Sequence, residues 1–265
     1  MAFNQKAYLS RVGIEEAIPL DVAGLVSLHM AQAYSIPFEN LDIILGRGID
    51  ISPEAMFEKL IDRKRGGYCF ELNGLFIQAL KVFGFEVRPL LARVHISGEP
   101  TGRTHKVCLV SFGEQQWLAD VGFGANGLRA PMPLSLGFKS EQDGQTFKIV
   151  ADNTFGMMMQ CQSSKGWLDL YSFDLSHVCS ADVEMGNHYT STHENSVFTS
   201  VPIATKPTTQ GRITLRQDNL RIEGGKTVVD KTITKLRDYH VALSDHFGFE
   251  FTKDEVEQLF AKRLG

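Results

Sequence analysis

The sequence has few cysteines for its length, and their spacing excludes two common uses of the residue. Cys69, Cys108, Cys161 and Cys179 are scattered through 265 residues without a CxxC pair. This scatter argues against a zinc site and against a disulfide framework. The eight histidines do not form an HExxH motif or another ligand spacing. We therefore expect no metal, so that any chemistry has to come from side chains.

Long apolar runs and a strong excess of one charge are also missing. No stretch approaches the roughly 18 apolar residues that a membrane span needs. The net charge of -4 provides no basic surface for nucleic acid or an anionic membrane. Residues 1–6 lack the charged-then-apolar layout of a signal peptide. We expect a cytoplasmic protein with neither of these partners, and the sequence leaves its oligomeric state unknown.

The apolar pattern changes twice along the chain. Helical patterns fill the first third, with starts at the capping residues Asp21 and Ser52. Closely spaced strands with tight turns follow Gly84, which predicts an antiparallel sheet. Residues 182–202 are polar and irregular, and three further strands and two helices close the chain. We therefore expect an α+β protein of several domains, with boundaries near residues 84 and 190.

The most informative stretch is residues 65–73, which read RGGYCFELN. Apolar residues after Cys69 recur at three- and four-residue spacing, which predicts a helix that stops at Gly84. Cys69 then lies at the helix N-terminus, where the helix dipole favours the nucleophilic thiolate. The paired glycines before it allow a close backbone approach to whatever meets the sulfur. The alternative is an inert cysteine in an apolar core.

Three basic residues, Arg63, Lys64 and Arg65, end the helix that precedes these glycines. Their charge suits the negative end of the helix dipole. We interpret them as a solvated helix end, and attraction of an anionic cofactor is the alternative.

A thiol nucleophile needs a base to hold its proton and a third group to orient the base. His105 lies on a predicted strand, 104–112, and Asp120 lies on the next one, 116–123. Adjacent antiparallel strands can bring two such side chains together. The alternatives are a half-exposed strand histidine and an aspartate that caps a turn at a strand end.

Four motifs resemble those of the arylamine N-acetyltransferases. They are IPFENLD at 36–42, RGGYCFELN at 65–73, RTH at 103–105 and DVGFG at 120–124, in the family's order. The length is close to that of bacterial members. The similarity is looser in the last third, where Glu194 stands at a position that is commonly proline in the family.

The resemblance implies an α+β, multidomain fold with a cysteine-protease-like core. Residues 1–84 would form a helical bundle that carries the nucleophilic cysteine. Residues 85–190 would form a β-barrel-like antiparallel domain with the histidine and the aspartate, and residues 191–265 an α/β lid. The implied catalytic triad is Cys69, His105 and Asp120.

The implied reaction moves an acetyl group from acetyl-CoA, the co-substrate, to an arylamine, an arylhydrazine or an N-hydroxyarylamine. An acetyl-cysteine intermediate gives ping-pong kinetics. Backbone N–H groups at Cys69 and near Gly122 and Phe123 are candidate donors to the oxyanion. The family pattern places acetyl-CoA near the loop before the histidine, at Thr101, Gly102 and Thr104, which could otherwise be an ordinary turn.

Phe38, Val94 and Phe123 are the candidates for an aromatic-amine pocket, since flat apolar walls favour flat aryl substrates. Plain core packing is the alternative for these three. Other functions fit the same residues: a thioesterase or peptidase-like hydrolase, a Cys-His-Asp amide synthase, and a non-catalytic binding domain with an inert Cys69. We expect the acetyltransferase.

Overall fold

The computed structural model describes residues 3–264, and helices lie at both ends of this range. The α-helices within it are α1 Gln5–Val12, α2 Val22–Ser35, α3 Leu41–Ile44, α4 Pro53–Phe57, α5 Cys69–Val82, α6 Ser180–Thr192, α7 Val197–Ser200, α8 Leu236–Val241 and α9 Lys253–Ala261. The π-helical turns Glu58–Asp62 and Ala242–His246 continue α4 and α8, and the 3-10 turn Lys262–Leu264 follows α9. In residues 3–264 no helix is both long and apolar enough to cross a membrane.

The strands of the described residues form two antiparallel sheets. These strands are β1 Phe38–Glu39, β2 Glu86–Val94, β3 His105–Phe112, β4 Gln115–Ala119, β5 Met132–Pro133, β6 Lys139–Gln142, β7 Gln145–Asp152, β8 Gly156–Ser163, β9 Gly166–Phe173, β10 Ile203–Thr208, β11 Gly211–Arg216, β12 Asn219–Gly224 and β13 Thr227–Thr232. One sheet has the order β5-β4-β3-β2-β9-β8-β7-β6, and the other has the order β1-β10-β11-β12-β13.

The larger sheet curls until its two edge strands approach each other. On β6, the Gln142 Oε1 accepts hydrogen bonds from the backbone N–H groups of Arg129 (2.8 Å) and Ala130 (3.1 Å), just before β5. Gln142 Nε2 also donates to the Ala130 carbonyl at 3.0 Å. The interior is filled by buried side chains that include Leu90, Val107, Leu118, Phe147, Ile149, Met159 and Tyr171. The prediction of an α+β fold with a barrel-like antiparallel unit is therefore confirmed.

Helix α5 connects this barrel to the N-terminal helices. One face of α5 and the outer face of β3 and β4 share a core with α1 and α2, which includes Tyr8, Leu25, Leu28, Leu72, Leu75, Phe76, Cys108, Val110 and Ala119. Burial of so large an apolar area is the main favourable contribution to folding. The core holds the N-terminus of α5 against the end of the barrel where β3 begins.

Several predicted helix boundaries are confirmed. The Asp21 carboxylate accepts from the Gly24 N–H at 2.9 Å and caps α2. Ser52 caps α4 with proline at the first position, and α5 begins at Cys69. Gly84, just after α5, has a φ of +90°, a conformation that side chains disfavour.

Pro37 predicts a turn or loop over residues 36–42. This prediction is wrong, because the segment pairs with two others. β1 pairs with β10 of the C-terminal sheet, with Phe38 opposite Thr205. On its other side, the Glu39 N–H donates to the Gly67 carbonyl at 2.9 Å, and the Gly67 N–H donates to the Pro37 carbonyl at 3.2 Å. The first and second motifs therefore form one backbone unit.

The prediction of irregular structure over residues 182–202 is also wrong. Helix α6 occupies Ser180–Thr192, and its buried residues are Val183, Gly186, Asn187, Thr190 and Ser191. They follow helical spacing but are mostly small or polar, so a search for an apolar face does not find them. These small residues let α6 pack closely against its neighbours without a large apolar face.

Arg65 is not a solvated helix end. Its side chain is 6% exposed, and Nη2 lies 2.7 Å from Glu39 Oε1 and 3.2 Å from Asp42 Oδ1. The guanidinium also lies over the Phe251 ring, with its carbon 4.2 Å from the ring centroid. Arg65 is therefore neither a solvated helix end nor free to attract an anionic cofactor, because its charge is paired with buried carboxylates of the protein.

Candidate active site

Cys69 is the first residue of α5 and is 3% exposed. The Glu71 carboxylate reaches back to accept the Tyr68 N–H at 3.1 Å, which fixes the first turn of the helix. The Cys69 Sγ lies 3.7 Å from the Thr104 carbonyl oxygen, directly before β3. The sulfur is therefore at the positive end of a fixed helix dipole, where a thiolate is favoured.

His105 and Asp120 meet beside this helix end. His105 Nε2 lies 2.8 Å from Asp120 Oδ2, and both side chains are buried. β3 and β4 are paired with Cys108 opposite Ala119, which brings His105 and Asp120 to the same end of the sheet. β4 ends at Ala119, so the prediction that Asp120 lies within a strand is wrong. Asp120 lies beyond the paired part of β4, so its backbone N–H can donate to a group outside the sheet.

The Asp120 carboxylate accepts hydrogen bonds on both oxygens. Oδ1 accepts from Asn73 Nδ2 at 2.9 Å and from the Gly122 N–H at 2.9 Å, while Oδ2 faces His105. Burial favours the neutral acid, but His105 and these donors outweigh it and lower the pKa of Asp120. The carboxylate is therefore ionised. Gly122 drops out of the candidate oxyanion donors because its N–H serves Asp120.

The charge of Asp120 sets the protonation state of His105. Burial opposes a charged ring, but the charge and hydrogen bond of Asp120, helped by the Cys69 sulfur, raise the pKa of His105 to about 10. Nε2 is engaged by Asp120, which leaves Nδ1 for the sulfur. At neutral pH the site thus favours an imidazolium beside the Cys69 sulfur.

Two aromatic rings enclose the imidazole. The ring centroids of Phe123 and Tyr171 each lie 5.0 Å from that of His105. Burial, and then the nearby Asp120 carboxylate, raises the pKa of the Tyr171 hydroxyl well above its usual range. The sequence reasoning did not find Tyr171 or the role of Asn73. Tyr171 looks like an ordinary apolar-strand residue, and only the motif around Cys69 marks Asn73.

Two glycines of the motifs are needed for close backbone packing. A Cβ at Gly122 would lie 2.9 Å from the Cys69 Cα and 2.7 Å from Asn73 Nδ2. A Cβ at Gly66 would lie 2.4 Å from the Pro37 carbonyl oxygen. These distances are too short for any side chain. Gly66 therefore makes room for the protein's own chain and not for a group that meets the sulfur.

A small pocket with a cavity volume of about 20 Å³ adjoins the triad at Asp120, and Phe38 and Phe123 both line it. Asp120 and Arg129 also contribute to its wall. Val94 is not among the described residues that line it. Val94 lies at the end of β2, where its N–H donates to Thr101 Oγ1 at 2.9 Å.

The loop that contains Thr101, Gly102 and Thr104 lies next to Cys69. Thr101 Oγ1 is 3.0 Å from Thr104 Oγ1 and donates to the Gly102 carbonyl at 2.8 Å. The Thr104 carbonyl in turn faces Cys69. A ligand held by this loop would therefore be close to the sulfur. Over residues 3–264, no three His, Cys, Asp or Glu side chains are grouped to hold a metal ion.

The sequence is similar to known enzymes over most of its length. A model of the N-acetyltransferase family matches residues 21–256. An arylamine N-acetyltransferase / N-hydroxyarylamine O-acetyltransferase of Salmonella typhimurium is 38% identical over 194 residues, 72% of this chain and 69% of that protein. An arylamine N-acetyltransferase of Escherichia coli is 31% identical over 265 residues, 96% of this chain and 94% of that protein.

Solved structures agree with the sequence relatives. The arylamine N-acetyltransferase from Salmonella typhimurium superposes with a TM-score of 0.91 at 32% identity, and the match covers 97% of both chains. The Mycobacterium marinum arylamine N-acetyltransferase in complex with CoA gives a TM-score of 0.91 at 29% identity, over 98% of this chain and 99% of that chain.

Proposed function

The chain belongs to the arylamine N-acetyltransferase family and is an acyltransferase, and we propose that it works through an acetyl-Cys69 intermediate. In the first half-reaction the Cys69 thiolate attacks the thioester carbonyl of acetyl-CoA. The bond to the CoA sulfur breaks, and the His105 imidazolium gives its proton to that sulfur. Acetyl-Cys69, neutral His105 and free CoA result.

In the second half-reaction the acceptor amine attacks the carbonyl carbon of acetyl-Cys69. Neutral His105 takes one proton from the amine nitrogen, and the Cys69 sulfur leaves as a thiolate. Asp120 stays ionised and stabilises the imidazolium in both halves. The protons balance over the cycle, and the enzyme returns to its imidazolium–thiolate form.

The observation that carries this mechanism is the enclosed contact between His105 and an ionised Asp120 beside the N-terminus of α5. The 2.8 Å contact is buried and fixes Nε2, so the other ring nitrogen is available to the sulfur. A structural histidine does not require this arrangement. Charge stabilisation in a site without water is the largest single contribution to many enzymatic reactions.

We propose acetyl-CoA as the donor, held beside the loop with Thr101, Gly102 and Thr104. The relative crystallised with CoA supports this choice of donor. We propose arylamines, arylhydrazines and N-hydroxyarylamines as acceptors, and the name of the Salmonella typhimurium relative supports the first and the last. Phe38 and Phe123 would hold the aryl ring, with Val94 closer to the loop that precedes His105.

The finer architecture is part of the same proposal. In it, residues 1–84 and 85–190 supply the two sides of a cysteine-protease-like core. Residues 191–265 act as a lid, and the enzyme works in the cytoplasm. The contact between β1 and β10 supports a lid next to the pocket, because Phe38 and Thr205 face each other there and both line it.

Initial-rate kinetics test the proposed reaction order. With acetyl-CoA and aniline varied together, we expect parallel double-reciprocal lines, since CoA leaves before the amine reacts. Convergent lines would overturn the covalent intermediate. Continued CoA release without amine, beyond one equivalent per enzyme molecule, would favour a thioesterase. Amide formation that requires no CoA ester would favour an amide synthase.

A further inference from the structure

A second buried histidine lies directly behind the triad. His29, on α2, is 0% exposed. Its Nε2 accepts a hydrogen bond from the Asp120 N–H at 3.1 Å. Its Nδ1 lies 3.2 Å from the Arg129 carbonyl oxygen. Because Nε2 accepts and a carbonyl can only accept, the hydrogen of the neutral ring has to be on Nδ1.

The two partners of His29 stand at the two ends of one loop, residues 120–129. This loop supplies the Asp120 carboxylate, the Phe123 ring and much of the pocket wall up to Arg129. One imidazole therefore connects the start and the end of the segment that forms both the triad and the pocket. Backbone bonds at both ends restrict how the loop can move.

The surroundings of His29 keep its ring neutral and in one orientation. The ring stands edge-on to Phe76, with centroids 5.7 Å apart and an interplanar angle of 90°. Burial, only partly offset by its two hydrogen bonds and by Asp120, lowers the pKa of His29 to about 4. A rotation of the ring would break both hydrogen bonds inside a buried core, which is costly.

We propose that His29 is a positioning residue that fixes both ends of the 120–129 loop. It thereby aims the Asp120 carboxylate at His105 and keeps the pocket wall in place. This role rests on the proposed function, because the task of Asp120 is defined there. His29 does not touch the reacting atoms. Its effect on the reaction passes through the backbone of Asp120 and Arg129.

Two substitutions separate the two hydrogen bonds. In His29→Asn the side-chain amide overlays the Nδ1 side of the ring, so the bond to the Arg129 carbonyl is kept and the bond to Asp120 is lost. In His29→Gln the longer side chain offers its oxygen to the Asp120 N–H, and the bond to Arg129 is lost. Leu25→Ala, one helical turn earlier on α2, weakens core packing and removes neither of these hydrogen bonds.

The readouts are the rate of Cys69 alkylation by iodoacetamide between pH 5 and 10, the rate of Cys69 acetylation by acetyl-CoA in a single turnover, and KM for aniline. We expect His29→Asn to lower both Cys69 rates by about 10- to 100-fold and to change the alkylation pH profile, because a small misplacement of the orienting group costs this much. We expect His29→Gln to keep the two rates within a few-fold and to raise KM for aniline.

The two variants are compared at the same number of degrees below their melting temperatures. If His29→Asn and Leu25→Ala then lower the two Cys69 rates equally, the positioning role is overturned. It is also overturned by an alkylation profile of His29→Asn that matches the unsubstituted protein. If the unsubstituted protein is not acetylated at all, the proposed function fails. The alkylation profiles still decide the role of His29 in that case, so the two failures are distinguishable.

Discussion

At the scale of single residues, the surroundings of Cys69 differ from those of the other cysteines. Burial raises the pKa of the Cys108 and Cys161 thiols, which keeps them neutral and unreactive. Cys179 is exposed. Cys69 combines a helix N-terminus with an imidazole that is charged at neutral pH. This combination is why a nucleophile is assigned there.

Asp120→Asn tests the orienting group. The amide can no longer stabilise the imidazolium, and it favours the wrong imidazole tautomer, so we expect kcat to fall by about 10⁴-fold. Steady-state rates with acetyl-CoA and aniline measure the loss, and near-ultraviolet circular dichroism checks that packing is kept. A folded variant with more than a tenth of the original kcat would contradict the assignment.

The known order of the motifs was sufficient to predict that Cys69, His105 and Asp120 lie close together in the fold. It was not sufficient for Asn73 and His29. Asn73 acts through Nδ2, which donates to Asp120, and His29 acts through a backbone N–H. Such contacts join residues 47 and 91 positions apart, and local patterns carry no information about them.

At the scale of elements, α6 supports α5, the helix that begins at Cys69. The Tyr68 hydroxyl bonds to the Asn187 side chain on α6, and Asn187 Nδ2 donates to the Ile49 carbonyl at 3.1 Å. Gly186 lets α6 pass close to the residue after Cys69, since a Cβ there would lie 2.8 Å from Phe70 Cζ. The small residues of α6 therefore have a packing role.

Gly186→Ala tests this close approach. Alanine favours a helix over glycine by about 1 kcal/mol. The clash with Phe70 and with the Arg103 carbonyl, 3.1 Å from the new Cβ, should outweigh that gain. We expect the free energy of unfolding in urea to fall by about 1–3 kcal/mol.

Met185→Ala, at the neighbouring position, is the matched control, because Met185 is 73% exposed. It should change the free energy of unfolding by no more than about 0.5 kcal/mol. An unchanged or higher stability of Gly186→Ala would show that α6 has room to move away.

Elements with strong local signals were predictable, and those that depend on distant partners were not. The predictable helices, α2, α4 and α5, have a capping signal and an apolar stripe. The predictable strands, β7 to β9, are short segments that carry apolar residues and are separated by tight turns. By contrast, β1 is two residues long and exists because Gly67 and β10 pair with it on either side. α6 has helical spacing in residues that are too small to produce an apolar signal.

At the scale of the whole molecule, a buried charge network joins the N-terminal and C-terminal parts. Arg65 bonds to Glu39 and Asp42, while Lys59 Nζ lies 2.8 Å from Glu71 and 3.0 Å from Asp42. The Arg65 guanidinium packs on Phe251 near the C-terminal helices. Each charge has a partner, as burial requires.

Arg65→Met should lower the free energy of unfolding by about 3–5 kcal/mol, because it leaves two carboxylates buried with one cation fewer. Arg63→Met is the matched control. Arg63 lies 3.7 Å from Glu58, and the two side chains are 53% and 66% exposed, so its loss should cost less than about 1 kcal/mol. Urea denaturation of both variants measures the difference, and equal costs would show that the network contributes no more than a surface pair.

His29 gives the stability of the whole protein a specific dependence on pH. The pKa of His29 is about 4 in the folded protein, against about 6.5 in the unfolded chain. Between these values the unfolded chain binds a proton that the folded protein does not, so stability falls as pH falls from 6.5 to 4. The loss from this one group should be about 3 kcal/mol.

Urea denaturation at several pH values measures this slope, and His29→Asn lacks the titrating group. His105 is present in both proteins and is protonated in the folded state throughout this window, so its contribution cancels in the comparison. The variant should therefore show a shallower slope than the unsubstituted protein. Identical slopes would mean that His29 accepts a proton within the fold.

The intact mass of the protein after mixing with acetyl-CoA tests the central claim most directly. We expect one added acetyl group, mapped by peptide analysis to Cys69, that disappears when aniline is added while acetanilide forms. Cys69→Ala, which removes one reactive atom and little volume, should gain no acetyl group. No acetyl group on the unsubstituted protein, or equal acetylation of Cys69→Ala, would contradict the account.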